Sequence, residues 1–331
     1  MSEAERKVFF IFPGQGSQYR GMGADLVAEF DAAREIYGRA SDAVGYDMAA
    51  LCFEDAEDKL DLTRYTQAAL VTHQMACLES FRSLVGEDTE VVPSLAAGHS
   101  LGEYSALVTG GALSFEDALM LVKHRGELMS EHGEGSMLAT TLDLPTAEEL
   151  AAKYYCAIGG CNLPEQTVIA GEDRDLDALT EDMSANYPRK RAFRLKTEGA
   201  FHTYLMVEAA RRFRDILANA EFRGLDLDVL SNFTGTAHEA DGDAIRSRLF
   251  FQLFSPVRWF SCMTTALDRG VDTIVEFGGG IGKGEGPEDK RPNLESMVKK
   301  TLKTQGHEAS YLGAINVSGI HLAAEEFAVS Q

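Results

Sequence analysis

The sequence predicts an α/β protein in which a large α/β domain is interrupted by a small α+β insert near residues 135–198. Two observations predict this class. Short apolar runs typical of buried strands alternate with helical patterns in both outer parts of the chain. Between those parts the pattern changes to short strands separated by helices, which is typical of a self-contained layer. The length of 331 residues fits one large domain with an insertion, or two domains.

The elements of the large part follow from apolar periodicity. A buried strand is predicted at Lys7–Phe12, helical patterns fill roughly 23–85, with Gln67–Phe81 the clearest, and a second strand is predicted at Val91–Ala97. A helix is predicted over Ser114–His132, because a serine at its first position can cap the N-terminus. Beyond the insert we expect helix Leu205–Ala220, strand Leu227–Ser231, helices Ala244–Phe254 and Val257–Arg269, and strand Asp272–Phe277.

The insert is predicted to contain six elements in the order βαββαβ, which is the ferredoxin-like arrangement. They are strand Met137–Asp143, helix Ala147–Tyr155, strands Ala157–Asn162 and Gln166–Gly171, helix Arg174–Tyr187 and strand Lys190–Lys196. We therefore expect a large subdomain formed by residues 1–134 and 199–331, and a small subdomain formed by residues 135–198.

Composition excludes several classes of function. The chain has 31 Lys and Arg against 52 Asp and Glu, a net charge of −21, which argues against nucleic acid or an anionic membrane as the main partner. No apolar run reaches the roughly 18 residues that span a bilayer, and the first residues do not resemble a signal peptide. Five scattered cysteines without a C-x-x-C pair suit reduced thiols, so we expect a cytoplasmic protein with no metal site.

The sharpest motif is Gly98-His99-Ser100-Leu101-Gly102, which directly follows the predicted strand Val91–Ala97 and precedes a helical run. G-x-S-x-G between a strand and a helix is the pattern of a nucleophile elbow. The glycines leave room for a tight turn, and the N-terminus of the following helix favours negative charge at the serine. The pattern is short enough to arise by chance in a glycine-rich chain, but its position between strand and helix favours a nucleophile at Ser100.

A nucleophilic serine needs a base, and the chain has eight histidines. His99 is a direct neighbour of Ser100 and cannot reach its hydroxyl in a useful geometry. His202 follows a predicted strand at the junction between the insert and the large part, which makes it the first candidate. The other six lie in helical or polar stretches, where a solvated or core histidine is the simpler explanation.

Arg125 lies on the apolar face of the predicted helix Ser114–His132, together with Leu121, Val122 and Met129. A guanidinium in that position needs a partner, because an unpaired buried charge is costly. A structural ion pair with a buried carboxylate is one explanation. The other is that the partner is a substrate carboxylate, held by two parallel hydrogen bonds.

Several longer motifs, in order, resemble the malonyl-CoA:acyl carrier protein transacylases and the acyltransferase domains of polyketide synthases. The resemblance runs from about residue 7 to residue 277. The motifs are Phe12-Pro13-Gly14-Gln15-Gly16-Ser17-Gln18, Gly98 to Tyr104, Arg125-Gly126, Asn162-x-Pro164-x-Gln166, Gly199-Ala200-Phe201-His202, Ser231-Asn232 and Pro256-Val257-x-Trp259.

This resemblance implies an α/β-hydrolase-like large subdomain with an inserted ferredoxin-like small one. It implies Ser100 as nucleophile, His202 as base held by a backbone carbonyl within Gln252–Ser255, and Gln15 with the backbone N–H of Leu101 as the oxyanion hole. Arg125 resembles the clamp for the malonyl carboxylate. Phe201 resembles the residue that narrows the pocket against an α-methyl group. Three further residues are expected to contact the substrate: His99, Met129 and Asn162.

The implied reaction moves a malonyl group from malonyl-CoA, through an ester on Ser100, to the phosphopantetheine thiol of an acyl carrier protein in fatty acid or polyketide synthesis. The resemblance implies no cofactor, since the phosphopantetheine belongs to the carrier. Two stretches depart from the family pattern. Thr203-Tyr204 replaces Ser-Pro after the histidine, and Gly278-Gly279-Gly280 replaces a Gly-Pro-Gly turn and is followed by an apparent inserted loop, Lys283–Pro292. These departures leave the acyl donor and the carrier open.

A carrier protein would be acidic, so an enzyme with a charge of −21 needs local basicity to bind it. The densest basic stretch runs from Arg189 to Lys196, and strand alternation would place Lys190, Arg194 and Lys196 on one face. Arg211 follows on the next helix. These four residues are the expected carrier-docking residues, although each could simply be a solvated charge.

Two other functions remain open at this stage. One is a thioester hydrolase that removes stalled acyl groups from carriers, against which Arg125 argues because a carboxylate clamp suits one class of acyl group. The other is a scaffold that binds carriers without catalysis, against which the intact set of Ser100, His202 and Gln15 argues.

Overall fold

The computed structural model describes residues 6–85 and 91–328, and this part of the chain forms two β-sheets with helices packed against them. The α/β class is confirmed. The strands are β1 Val8–Phe12, β2 Leu95–Gly98, β3 Ser136–Thr140, β4 Ala157–Leu163, β5 Gln166–Gly171, β6 Ala192–Arg194, β7 Asp228–Leu230, β8 Thr273–Phe277 and β9 Ser310–Ala314. The α-helices are α1 Ala24–Glu29, α2 Asp31–Val44, α3 Met48–Phe53, α4 Thr63–Val85, α5 Gly102–Thr109, α6 Phe115–Glu131, α7 Leu144–Lys153, α8 Asp173–Asn186, α9 Val207–Asn219, α10 Gly242–Gln252, α11 Trp259–Asp268, α12 Glu295–Gln305 and α13 Val317–Ala328.

The larger sheet has five parallel strands in the order β7-β2-β1-β8-β9. Every residue of β1 is buried, because helices cover both faces of the sheet. Phe10 and Phe12 belong to the core on one face, whereas Phe9 and Ile11 belong to the core on the other, which includes Trp259. This two-sided burial explains why the strand is a continuous apolar run.

The smaller sheet is antiparallel, with the order β4-β5-β3-β6. The predicted order of strands and helices over this stretch is present, and β5 has the predicted bounds. One face of the sheet packs on α7 and α8 through a separate core that includes Leu138, Ile169 and Leu179. The small sheet contacts the large part of the chain at a bridge between Gly160 of β4 and Val257, just before α11, where the N–H of Cys161 donates to the Val257 carbonyl at 2.8 Å.

Helix α6 begins where its capping residue predicts. The Ser114 hydroxyl accepts the backbone N–H of Asp117 at 3.0 Å, which satisfies one of the free donors of the first turn. The helix then runs to Glu131 and buries Arg125 completely. The prediction that this arginine lies on the buried face is therefore confirmed.

Most predicted elements differ from the observed ones by a few residues at one end or both, and three of them illustrate the reasons. The strand predicted at Lys190–Lys196 contains only the three residues of β6, so the side-chain alternation that placed Lys190, Arg194 and Lys196 on one face does not hold across that stretch. The strand predicted from Val91 begins at Leu95, after Pro93, a residue that cannot donate to a sheet. Helix α9 is preceded by a short 3-10 helix, Tyr204–Met206.

The stretch after β8 folds back on itself. Ile281 and Arg291 form an antiparallel bridge, and the Lys290 ammonium donates to the Gly282 carbonyl at 3.2 Å and lies over the Tyr19 ring. The backbone N–H of Gly279 donates to His73 Nδ1 at 2.9 Å, a bond that a proline at this position could not make. The predicted loop Lys283–Pro292 is therefore an ordered lobe anchored to the large sheet's helices.

Across residues 6–85 and 91–328, no helix combines the length and the apolar character needed to cross a membrane. All five cysteines are free thiols, and four of them are buried.

Candidate active site

Ser100 lies on a tight turn between β2 and α5, at the carboxyl end of the parallel sheet. Its backbone is left-handed, with φ of 53°, a conformation that costs energy for a residue with a side chain. The turn needs small neighbours: a Cβ on Gly98 would lie 1.8 Å from the carbonyl carbon of Gly102, and one on Gly102 would lie 2.4 Å from the Phe12 oxygen. The strand, the turn and the first turn of α5 thus hold the serine in a strained, outward position.

Asn232 holds this turn from behind. Its side-chain oxygen accepts the backbone N–H of Ser100 at 2.6 Å, and its side-chain nitrogen donates to the Gly98 carbonyl at 2.8 Å. Its own backbone N–H donates to the carboxylate of Glu103 at 2.9 Å. Since Asn232 is fully buried, these bonds offset part of the cost of the strained backbone.

The structure brings Ser100 and His202 together. Ser100 Oγ lies 2.8 Å from His202 Nε2, and His202 Nδ1 lies 2.9 Å from the backbone carbonyl of Gln252. A carbonyl only accepts, so Nδ1 carries the proton and Nε2 is left to accept from the serine hydroxyl. Burial, and then the nearby Arg125 charge, lower the pKa of His202 to about 3. The imidazole is therefore a neutral base at pH 7.

Arg125 reaches the same hydroxyl from α6. Its Nη2 donates to Ser100 Oγ at 3.1 Å and to the side-chain oxygen of Gln252 at 3.0 Å, while its Nη1 donates to the side-chain oxygen of Gln67 at 2.8 Å. No carboxylate lies within ion-pair distance of it in the described part of the chain, and its Nε has no partner there. A structural ion pair is thus excluded as the explanation of this buried arginine. Burial lowers the pKa of Arg125 from its usual value.

A cleft of about 580 Å³ opens onto these three residues. The exposed face of the small sheet forms one wall and the ends of β1 and β2 form the base. Four of the expected substrate-contacting residues line it: His99, Met129, Asn162 and Phe201. His99 Nε2 lies 2.9 Å from the Asn162 side-chain oxygen, and burial lowers the pKa of His99, so a neutral ring joins the two sheets here.

Gln15 and Leu101 also line the cleft. The Gln15 side-chain amide donates to the Thr63 hydroxyl at 3.0 Å and is thereby turned to the start of α4. Within the residues that the structure describes, the backbone N–H groups of Gln15 and Leu101 donate to no protein acceptor. Both are free to meet an anionic oxygen at Ser100, beside the N-terminus of α5.

The four expected docking residues fall into two pairs. Arg194 forms ion pairs with Asp173 at 2.9 Å and Asp177 at 2.5 Å, and Lys190 lies 3.6 Å from Glu165. Lys196 lies at the rim of the cleft and is exposed. Arg211 is exposed on α9, and like Lys196 it forms no ion pair with any residue described by the structure.

The sequence did not single out several residues that complete the site. Gln67 and the side chain of Gln252 hold Arg125, and Glu103 is buried beneath the nucleophile. Gln67 gave no usable signal, because a single glutamine in a long helix reveals nothing about a partner 58 residues away. Glu103 and Asn232 stand inside motifs quoted above, but the motif alone does not tell what they contact.

In the described ranges, no three His, Cys, Asp or Glu side chains are arranged to hold a metal ion. Around Ser100 Oγ the structure places a neutral imidazole, two backbone N–H groups without a protein acceptor among the described residues, and a buried guanidinium.

Residues 9–277 match the family described as acyl transferase domain. The chain belongs to this family. It is 36% identical over 307 residues to the malonyl CoA-acyl carrier protein transacylase of Bacillus subtilis, an alignment that covers 90% of this chain and 92% of that protein.

Two solved structures have similar folds. The malonyl CoA-acyl carrier protein transacylase of Clostridium perfringens superposes with a TM-score of 0.86 at 32% identity, over 98% of each chain. A malonyl-transacylase solved in complex with its type II PKS acyl-carrier protein superposes with a TM-score of 0.84 at 32% identity, over 97% of this chain and 99% of that one.

Proposed function

We propose that this acyltransferase moves a malonyl group from malonyl-CoA, through an ester on Ser100, to the phosphopantetheine thiol of an acyl carrier protein in fatty acid or polyketide synthesis. One observation carries the proposal: Ser100 Oγ lies 2.8 Å from a neutral histidine and 3.1 Å from a buried arginine that has no carboxylate partner. The names of its relatives, and a relative's complex with a carrier, support the same reaction.

In the first half-reaction His202 Nε2 takes the proton of Ser100 as the oxygen attacks the thioester carbonyl. The backbone N–H groups of Gln15 and Leu101 hold the oxyanion that forms. Collapse of the intermediate breaks the carbon–sulfur bond, and the imidazolium returns its proton to the departing CoA thiolate. CoA leaves, and the malonyl group remains as an ester on Ser100.

In the second half-reaction the carrier's thiol enters the same cleft. His202 takes its proton, the sulfur attacks the ester carbonyl, and the same N–H donors hold the second oxyanion. The proton then returns to Ser100 Oγ as the malonyl thioester leaves. No cofactor is proposed for either half, because the CoA is a substrate and the phosphopantetheine belongs to the carrier.

Arg125 is proposed to bind the free carboxylate of the malonyl group. In the free enzyme one Nη2 hydrogen of Arg125 is donated to the Ser100 hydroxyl, and this hydrogen becomes available when Ser100 is converted to an ester. One Nη1 hydrogen is donated to Gln67, so the second Nη1 hydrogen is available beside it. Such a fork suits the two oxygens of a carboxylate. Phe201, 5% exposed at the cleft wall, is proposed to exclude an α-methyl branch, with His99, Met129 and Asn162 as further contacts.

The carrier is proposed to dock at the mouth of the cleft, chiefly on the unpaired charges of Lys196 and Arg211. Lys190 and Arg194 belong to the same proposed surface, but acidic neighbours already offset their charge. A binding surface of this kind steers an acidic partner at low ionic strength more than it adds affinity.

The two sheets are proposed to be an α/β-hydrolase-like large subdomain and a ferredoxin-like small one. The βαββαβ order around β3–β6 supports the small one, and the parallel sheet with its nucleophile turn supports the large one. We propose the boundaries 1–134 with 199–331, and 135–198; the termini named here, 1 and 331, lie outside the described residues. A cytoplasmic location stays a prediction, supported by the five free cysteines.

The test is intact-mass analysis of the protein mixed with malonyl-CoA and then with a phosphopantetheinylated carrier. We expect a gain of one malonyl group that disappears when the carrier is added, together with a malonyl-carrier product. Ser100→Ala should gain nothing. Rapid release of CoA with no adduct and no loaded carrier would contradict the transferase and indicate a hydrolase.

A further inference from the structure

We propose that Glu103 is a positioning residue. Its buried carboxylate, paired with His238, fixes the side chain of Gln252, and Gln252 in turn fixes the guanidinium of Arg125. In this way Glu103 sets the preference of the enzyme for carboxylated acyl donors. The inference rests on the proposed function, since it concerns how the acyl group is chosen.

Glu103 lies on α5, three residues after the nucleophile, and its side chain is fully buried. Its Oε1 lies 2.8 Å from His238 Nε2, and both side chains are inaccessible to solvent. Its Oε2 accepts the backbone N–H of Asn232 at 2.9 Å and the side-chain N–H of Gln252 at 2.9 Å. A buried carboxylate with three donors is well satisfied, which is what its burial requires.

These neighbours leave the amide of Gln252 one orientation. The nitrogen of that amide donates to Glu103 and, at 3.0 Å, to the backbone carbonyl of Ser100, and neither partner can donate in return. The oxygen is therefore turned to Arg125, which can only donate and whose Nη2 lies 3.0 Å away. A flipped amide would set donor against donor on the arginine and acceptor against acceptor on the carboxylate.

The second glutamine at the arginine has no such restraint. The Gln67 oxygen accepts from Arg125 Nη1, but the one acceptor that its nitrogen finds among the described residues is the thioether sulfur of Met129 at 3.4 Å, a weak acceptor. The orientation of the guanidinium is consequently set from the side of Gln252. The Nη2 atom that Gln252 holds is the one that also donates to Ser100 Oγ.

It follows that losing the carboxylate of Glu103 releases the Gln252 amide and lets Arg125 move relative to the nucleophile. A donor with a free carboxylate depends on that geometry, whereas acetyl-CoA does not. Loosening of the Ser100 turn through Asn232 would lower loading by both donors alike, so the effect specific to Arg125 is a change in the choice between donors.

The test measures kcat/KM for loading of Ser100 by malonyl-CoA and by acetyl-CoA, by intact mass. In Glu103→Leu the malonyl-to-acetyl ratio should fall about tenfold, the size expected for one lost hydrogen bond to a charged group. Gln252→Leu, which keeps the carbonyl that holds His202, should lower the ratio similarly, and the double variant should fall no further.

Glu103→Gln is the rescue variant. One oxygen remains to accept from Asn232 and Gln252, and its nitrogen can donate to His238 in the tautomer that carries the proton on Nδ1. This variant should recover most of the wild-type ratio. Leu26→Ala removes a buried side chain of α1 that does not line the cleft. This variant is the control for lost stability, and it should leave the malonyl-to-acetyl ratio unchanged.

Two results would overturn the inference: an unchanged ratio in both Glu103→Leu and Gln252→Leu, or no recovery in Glu103→Gln. Should Glu103→Leu fail to fold, Gln252→Leu and Glu103→Gln decide the question. A wild-type protein that loads neither donor would overturn the proposed function and this inference with it, whereas wild-type selectivity that persists in the variants overturns the inference alone.

Discussion

Two arginines, 69 residues apart in the chain, have opposite surroundings. Arg125 is completely buried at the nucleophile and is held by two neutral glutamine amides and a serine hydroxyl. Arg194 lies on the edge strand β6, half-exposed, and is paired with the two carboxylates of Asp173 and Asp177. Among the described residues no carboxylate touches the buried cation, and the nearby Glu103 reaches it only through the Gln252 amide, whereas two carboxylates contact the exposed cation.

The difference shows which of the two guanidinium charges is available to bind a ligand. Burying a guanidinium without an anion costs folding free energy, so such a site is kept where a ligand supplies the missing charge. The charge of Arg194 is instead largely neutralised by Asp173 and Asp177 on α8, and an exposed pair of this kind contributes little to stability. The sequence already separates the two, since Arg125 lies on an apolar helix face and Arg194 in a basic stretch. Their partners in the structure then show that Arg194 forms surface ion pairs and that Arg125 does not.

The largest expected effect is the difference in loading activity between a variant that lacks Arg125 and one that lacks Arg194. Arg125→Ala should lower kcat/KM for loading by malonyl-CoA by roughly 10²- to 10⁴-fold, because the carboxylate of the donor would be buried without a partner, at a cost of about 3–5 kcal/mol. Arg194→Ala should leave loading unchanged and alter the free energy of unfolding by about 1 kcal/mol or less. Loading rates by intact mass and denaturant melts measure the two quantities.

The control for that comparison is acetyl-CoA, which has no carboxylate. Its loading should change far less in Arg125→Ala than that of malonyl-CoA. Equal losses for both donors would mean that Arg125 supports only the nucleophile. That result would contradict the proposal that Arg125 binds the carboxylate of the substrate.

A smaller effect is expected on the pKa of His202, which burial and then Arg125 lower to about 3. Two cations repel, so removing the Arg125 charge must make the imidazolium easier to form. In Arg125→Gln the pKa of His202 should therefore rise, and the acid side of the pH–loading profile with acetyl-CoA should move to higher pH. NMR titration of the His202 ring, assigned with His202→Asn, measures it; an unchanged or lower pKa would contradict the electrostatic coupling.

The smallest effect concerns the surface arginine. Asp173→Asn together with Asp177→Asn would free the charge of Arg194 within the proposed docking surface. We expect KM for an acidic carrier to fall about two- to threefold at low salt, the size of one exposed ion pair, and the gain to vanish at high salt. Loading by malonyl-CoA, which needs no carrier, serves as the control. A KM that stays unchanged at low salt would mean that the carrier does not bind at Arg194.

Much of the fold could be predicted because local patterns and tertiary structure agree. The strand β5 was predicted with its observed bounds, and the helix α6 began at its serine cap. Where the predicted and the observed elements disagree, the reason is a single residue or the lack of a recognisable motif. Pro93 delayed β2, and β9, α12 and α13 were not predicted at all, since they lie beyond the last recognisable motif at Phe277.

The site divides in the same way. The spacing around Ser100 and the burial of Arg125 could be predicted, because an elbow and a helix face are local features. The contacts of Gln67, Asn232 and Glu103 could not, because each joins elements far apart in the chain and depends on which atoms of an amide or carboxylate meet. The extent of β6 was also beyond prediction: charge alternation resembled a strand, but only three residues pair.

The most direct test of the central claim is a crystal structure of the protein acylated by malonyl-CoA in the absence of a carrier. It should show the malonyl ester on Ser100 with both carboxylate oxygens about 2.7–2.9 Å from nitrogens of Arg125, the range of charge-assisted hydrogen bonds. A malonyl carboxylate that points to the mouth of the cleft, with Arg125 still bound only to Gln67 and Gln252, would contradict the account.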